Sequence, residues 1–384
     1  MLQDRFDPRS NNFDLIRLIA ALIVTFAHTY ALNAKKSDPL STLLTYEFSG
    51  TLAVWAFLVI SGFLLGRSIE YQSTTKFVFS RFLRIYPAFF LTILLECLVI
   101  VPLFYEAPLE DYFKNWFFFH LQNLMLWPQN PFVPHVFSNL PHPVINGSLW
   151  TIPLEISFYI CLIFVAGSFI NQRIIYLAIF FCSLFGSMIL RALDFTLASG
   201  QPMVLSGVSL YGFVVYSTYF WAGVCLWKFR DLVKISPGGL VTALIALYAA
   251  RNSSGAPVVL ALCLPYIVIY FATIGSIGTK LHNRIGDLSY GVYLFSYPIT
   301  NVVVSITKAA LPSWIVFLIA TPIALGLAYA SWHIVEKRCL ALKALDLSAF
   351  FARLYGAKPR IESARLDSPS DSKKMEKLSL STKP

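Results

Sequence analysis

The stretch FDLIRLIAALIVTFAHTYAL, residues 13–32, reads as one helix broken by three groups that carry charge near neutral pH, Asp14, Arg17 and His28. About 20 apolar residues are needed to cross a bilayer as a helix, and this stretch has that length. Arg17 and His28 lie 11 positions apart. At 100° per residue, that separation returns to within about 20° of the same face, roughly 16 Å along the axis. Asp14 and Thr25 fall near the same stripe, while Leu15, Ile16, Leu22, Ile23 and Phe26 cover the rest. Ionisable groups cost about 2.5–3.5 kcal/mol at a bilayer centre on insertion scales, so they normally face a protein interior. Two readings stand: an arginine reaching to the headgroups with a histidine in a packing hydrogen bond, or a working pair on one face.

Working outward, the same kind of segment recurs along the chain. Hydrophobic residues make up 57% of the sequence and charged residues 13%, whereas soluble domains carry about 25% charge. Ten spans are read, at 14–32, 48–66, 83–104, 149–167, 173–191, 210–228, 238–250, 257–275, 285–306 and 313–335. The fold class is therefore all-α: a polytopic membrane protein, a bundle of about ten transmembrane helices. No cleavable signal peptide is evident, so the first span serves as a retained anchor. An even number of spans places both termini on one side.

The formal charge of +10 is a topology signal. With both termini inside, only Lys35, Lys36, Lys114, Arg191, Arg251 and Lys308 fall outside, of 30 Lys and Arg. That is the positive-inside bias, and no nucleic-acid partner is implied. Localisation follows as the cytoplasmic (inner) membrane with cytoplasmic termini. Of the 6 cysteines, all but Cys339 lie in spans and none forms a C-x-x-C pair, so they read as packing residues.

Residues 1–343 form the membrane domain and 344–384 a disordered cytoplasmic tail, since SPSDSKKMEKLSLSTKP has too little apolar content to offset its ordering entropy. The long exterior connection is 105–148. Its half LEDYFKNWFFFHLQNLMLW suits an interfacial helix. Pro128, Pro131, Pro134, Pro141 and Pro143 follow it. His120, His135 and His142 lack ligand-like spacing, and no metal site is expected. No internal repeat is visible, which weighs against inverted-repeat transporter folds.

Three further features carry chemistry. FLVISGFLLG in the second span has Ser61 and Gly62, which allow close backbone approach. SRFLRIYP places Arg81 and Arg84 one turn apart at the inner mouth of the third span, as an inside anchor or as a seat for a phosphate-bearing ligand. NGSLWTIPLEISFY begins the fourth span and carries Glu155 two turns in, beyond Pro153, where a carboxylate needs a partner.

Taken in order, the Arg-x10-His of Arg17 and His28, the SGF, the RFLRIYP, the SLWTIPLE around Glu155, GDLSYGVYLFSYP at 286–298 and the closing IVEK at Glu336 resemble the acyltransferase-3 family of integral-membrane O-acyltransferases. The resemblance covers residues 12–340, and NGSLWTIPLEISFY looks most like the branch that decorates exopolysaccharides and Nod-factor oligosaccharides. Many relatives carry a histidine where this chain has Ser296, and a second acid where it has Ile156.

The resemblance implies transfer of an acyl group, acetyl in the first instance, from cytoplasmic acyl-CoA to a sugar hydroxyl. Acyl-CoA, most simply acetyl-CoA, is then a donor co-substrate and no cofactor stays bound. A cell-surface or secreted glycan, or a lipid-linked saccharide, is the acceptor, with membrane lipid around the bundle. Arg17, Arg81 and Arg84 would hold the nucleotide phosphates, and His28 would deprotonate the acceptor hydroxyl. Glu155 would orient either the imidazole or the sugar. Direct transfer is preferred over an acyl-enzyme on Ser61, which has no adjacent base in the sequence. The readings against it are a transporter or flippase for a lipid-linked or acylated sugar, and a different membrane acyltransferase built around His333.

Overall fold

A computed structural model describes residues 1–34, 37–44, 48–126, 129–193, 203–205 and 208–344. The segment expected to be a disordered tail lies outside the described residues, apart from Ala344 at its edge. Residues 1–343 form one compact unit. The structure is 78% helical, and the strand pair Met203–Leu205 with Val208–Ser209 is the only sheet among the described residues.

Helices occupy all ten predicted places. They are α1 (Phe13–Ala34), α2 (Ser49–Tyr71), α3 (Thr74–Phe104), α4 (Thr151–Phe169), α5 (Arg173–Ala192), α6 (Leu210–Lys228), α7 (Pro237–Ala250), α8 (Ala256–Thr273), α9 (Ser289–Ile306) and α10 (Ser313–Ala341). Eight are long and apolar enough to cross a membrane, and the exceptions are α7 and α9. α7 has 14 residues, about 21 Å at 1.5 Å per residue, short of the roughly 30 Å hydrocarbon core. α9 falls outside for another reason. It carries four serines and threonines, three tyrosines and Asn301, and nearly all of it is buried among other helices.

One boundary differs from expectation. The third span was read from residue 83, but α3 starts at Thr74, capped by the Ser73 hydroxyl, which accepts from the Lys76 N–H. Only Gln72 and Ser73 separate it from α2. Lys76 and Arg81 kept this stretch out of the expected span, which began just before Arg84, yet all three line a cavity. The arginines therefore sit two to three turns into the helix, not at its mouth.

The bundle is drawn tight where α2 crosses α6. A Cβ on Gly62 would lie 2.0 Å from the Phe220 carbonyl oxygen, and one on Gly223 2.1 Å from that of Val59. Only glycine lets the two backbones meet in this way. The contact fixes the face of α2 and leaves Ser61 pointing into the space on the other side.

α1 and α9 run side by side in the same sense. Arg17 Nη1 lies 3.9 Å from Asp287 Oδ2 just before α9, and His28 meets Tyr297 further along, ring centroids 4.8 Å apart. The stripe predicted on α1 is the face that packs on α9. The 105–148 connection forms successive helical turns from Leu109 to Met125, exposing Phe113, Phe118 and Met125 and burying Tyr112, His120 and Asn123.

Candidate active site

Two cavities meet at the arginines. The inner one runs among α1, α2, α3, α4 and α9 and is lined by Arg17, Ser61, Arg81, Arg84, Glu155 and Tyr293, with Phe57, Leu58 and Ile152 among its apolar walls. The outer, wider one opens at the end of the bundle that carries the arginines. Arg17, Leu64, Arg81 and Arg84 line both. The two spaces form one passage, polar at its mouth and mostly apolar at depth.

The mouth is strongly cationic. Arg17, Arg67, Lys76, Arg81, Arg84, Lys343 and His282 line it against two acids, Asp14 and Asp287. Asp287 is nearly buried, and Arg84 Nη2 donates to its Oδ2 at 2.5 Å. Its other oxygen accepts from the backbone N–H and hydroxyl of Ser289, at 3.1 and 2.6 Å. Gly286 makes this possible. Its φ of +87° is open to glycine without strain, and a Cβ there would lie 1.9 Å from the Trp332 indole nitrogen. Asp14 lies 3.4 Å from Arg17 and 2.9 Å from His282 Nδ1, and this contact raises the His282 pKa above the ordinary histidine value.

Arg67, Lys76, Arg81 and Lys343 form no ion pair among the described residues. Burial, and then the Arg81, Arg84 and Arg17 charges, push the Lys343 ammonium down to about 8. Cations gathered without counter-charges favour a phosphate-bearing ligand, because guanidinium–phosphate hydrogen bonds are charge-assisted and bidentate.

In the inner cavity Glu155 accepts from the Ser61 hydroxyl at 3.5 Å and from the Tyr159 hydroxyl by a short bond. The passage closes where the Tyr293 hydroxyl pairs with Thr151 Oγ1 at 2.9 Å and the Tyr293 ring packs edge-on to Phe57. Arg17, Arg81, Arg84 and Glu155 thus line one cavity. His28 does not: it packs against Tyr297, one helical turn beyond Tyr293, and its Nδ1 is buried with no hydrogen-bond partner among the described residues. Of the two roles left open for Glu155, its hydrogen bonds come from Ser61 and Tyr159 and none from the imidazole. His333, the other histidine considered, lies 3.2 Å from the Ile285 carbonyl and packs on Tyr329.

Several lining residues escaped the sequence reading. Asp287 sat in plain view in GDLSYG, but nothing local ties it to an arginine 203 positions away. Lys343, Arg67 and Lys76 entered the sequence reading only through the charge count and here line the mouth of the passage. Tyr159, four residues after Glu155, was accessible from helical spacing alone.

The acyltransferase-domain model of the acyltransferase-3 family matches residues 10–333. An O-acetyl transferase of Shigella phage Sf6 is 30% identical over 353 residues, covering 88% of this chain and 99% of that one. Nodulation protein 10 of Rhizobium leguminosarum bv. viciae is 25% identical over 354 residues, covering 87% and 94%. No solved structure matches the chain.

Proposed function

This chain belongs to the acyltransferase-3 family of integral-membrane O-acyltransferases, and we propose that it moves an acetyl group from acetyl-CoA to a hydroxyl of a cell-surface or secreted glycan. It is an O-acetyltransferase and a multi-pass membrane protein, so the carrier reading gives way. The observation that supports the donor is the passage itself: an over-charged mouth leading, at three arginines, into a narrow apolar cavity. The nucleotide phosphates of a CoA thioester suit the mouth and its extended pantetheine arm suits the depth.

The cationic mouth then faces the cytoplasm, where acetyl-CoA is made, in keeping with the positive-inside bias. The acceptor approaches from the opposite end, where the 105–148 connection lies, and a glycan acceptor accords with the NGSLWTIPLEISFY motif. Nucleotide phosphates bind Arg81 and Arg17, with Arg84 held in place by Asp287. The thioester comes to rest near Glu155 and Tyr293, one helical turn, about 5.4 Å, from the His28 level. The acceptor oxygen attacks the thioester carbonyl as His28 takes its proton. The C–S bond breaks, CoA leaves as the thiolate and takes that proton from the imidazolium, and the ester remains on the sugar. Glu155 faces the reacting carbonyl and the incoming sugar and leaves the imidazole to others.

His28→Ala tests this. General-base catalysis is worth about 10²–10⁴-fold, so acetylation of the surface polysaccharide, read by mass spectrometry, is expected to fall by that factor. Membrane insertion and acetyl-CoA affinity are expected to stay at parent level. Near-parent acetylation in the variant removes His28 from the reaction.

A further inference from the structure

The 105–148 connection packs against α3 through a polar cluster that is completely buried among the described residues. Glu96, His120, Asn123 and Asn146 each have 0% exposure. Glu96 opens a π-helical turn, Glu96–Ile100, within α3. Such turns rotate a side chain off the regular helical face and are frequent at functional sites. One Glu96 oxygen is 3.1 Å from His120 Nε2, and the other accepts from Asn146 Nδ2 at 2.7 Å. Asn123 lies 3.3 Å from the second nitrogen of His120 and donates to the Asn130 carbonyl at 2.9 Å.

Asn146 reaches α9 as well. Its Nδ2 donates to the Leu294 carbonyl at 3.0 Å. In a regular helix that carbonyl accepts from the residue four positions on, but here that residue is Pro298, which has no N–H. The loop supplies the hydrogen bond that α9 cannot make for itself. Asn146 Oδ1 accepts from the Ser148 N–H at 3.0 Å, which sets the turn over Asn146–Ser148. Gly147, in the middle, lies so close to Tyr297 that a Cβ would stand 2.5–2.9 Å from that side chain. The same tyrosine ring packs edge-on with His28, centroids 4.8 Å apart.

We infer that Asn146 is a positioning residue for His28: held by Glu96 and His120, it clamps the 146–148 turn onto α9, so that Gly147 presses the Tyr297 ring against the imidazole. An imidazole whose Nδ1 has no hydrogen bond among the described residues is held by packing, and the ring that packs on it is fixed from the loop. The connection therefore orients the base from outside the bundle, with no group of its own in the reaction. This rests on the reading of His28 as the base.

The test uses the full chain in native membranes, with acetyl-CoA varied and acetyl transfer to the endogenous acceptor measured. Carbethoxylation of His28 by diethyl pyrocarbonate is followed in parallel by peptide mass spectrometry. Asn146→Ala is expected to lower kcat at least tenfold, to leave KM for acetyl-CoA within twofold and to speed His28 labelling several-fold. Gly147→Ala, which displaces Tyr297 and leaves the polar cluster intact, is expected to show the same pattern and covers a failure of Asn146→Ala to fold. Glu96→Gln replaces one of two acceptor oxygens with an NH2 donor facing either the His120 Nε2–H or the Asn146 amide, so it is expected to shift in the same direction as Asn146→Ala, as is Glu96→Ala. Parent kcat and parent His28 labelling in both Asn146→Ala and Gly147→Ala overturn the inference. So does a fall in kcat matched by an equal rise in KM with His28 labelling unchanged. If His28→Ala itself retains parent kcat, the base reading fails instead, and the labelling rates alone decide whether the loop holds the ring.

Discussion

The two ends of this bundle handle buried charge in opposite ways. At the arginine end, seven basic groups face two acids across an open cavity, and four of them have no ion partner among the described residues. At the loop end, Glu96, His120, Asn123 and Asn146 are sealed from solvent, and each is bonded to another member of the set. A buried polar network with its hydrogen bonds made rigidifies a structure, whereas charge left unmatched beside a cavity is held ready for a ligand. The contrast separates what binds from what braces, although both are built from ionisable residues within an apolar bundle.

The contrast is broken or sharpened by substituting one residue of each kind. Arg84 should give the largest effect, because it belongs to both classes. Removing it leaves the nearly buried Asp287 with only Arg17, 3.9 Å away, as a counter-charge, and breaking a buried ion pair costs about 3–5 kcal/mol. Arg84→Ala is expected to lower the thermal midpoint in detergent markedly, by more than any other passage-lining substitution; a parent-like midpoint would show that the Asp287 pair is not structural. Next comes Glu96→Ala. It strands two buried partners at about 1–3 kcal/mol each, so a clear loss of thermal stability is expected with acetyl-CoA affinity unchanged. Weakened donor binding there would erase the division between the two ends.

Arg81→Ala is the cleaner probe of the ligand. With no ion partner to strand, it should leave the melting midpoint near the parent while acetyl-CoA binds about 10–100-fold more weakly, the worth of one charge-assisted contact at about 1.5–3 kcal/mol. Lysine should restore only part of this, since it offers a point charge in place of a planar fork. Unchanged affinity in Arg81→Ala would leave this arginine an anchor. The smallest effect is expected from Lys343. Its ammonium is pushed down to about 8, so it loses its charge as the pH rises through that value, and a bound phosphate loses a cation. Acetyl-CoA affinity should therefore fall a few-fold between pH 7 and 9, and Lys343→Arg should flatten that fall. A flat profile in the parent would place Lys343 outside the donor site.

Much of the bundle and part of the site could be read from residue order. Arg17 and His28 were placed on one stripe by helical spacing, and the structure puts that stripe against α9. Glu155 was recognised as a carboxylate in need of partners, and Ser61, read for backbone packing and weighed as a nucleophile, supplies one of them. The start of α3 and the low apolarity of α9 were misjudged or hidden for a shared reason. Hydropathy measures each segment against lipid, while these two segments meet the protein and its cavity.

The sequence by itself determined that the chain is a bundle of membrane helices, where nearly all of them lie, and which charges are costly enough there to demand a use. These are properties of a segment and its solvent, and they depend on neighbours within a few turns. Only the tertiary structure decided that Asp287 would answer Arg84, that Glu155 would turn to Ser61 and Tyr159 and away from His28, and that Asn146 would complete the hydrogen bond lost at Pro298. Each of those pairings joins distant elements or fixes which of several nearby groups a side chain meets. A buried polar group must find a partner, but which partner it finds depends on the helix that packs beside it.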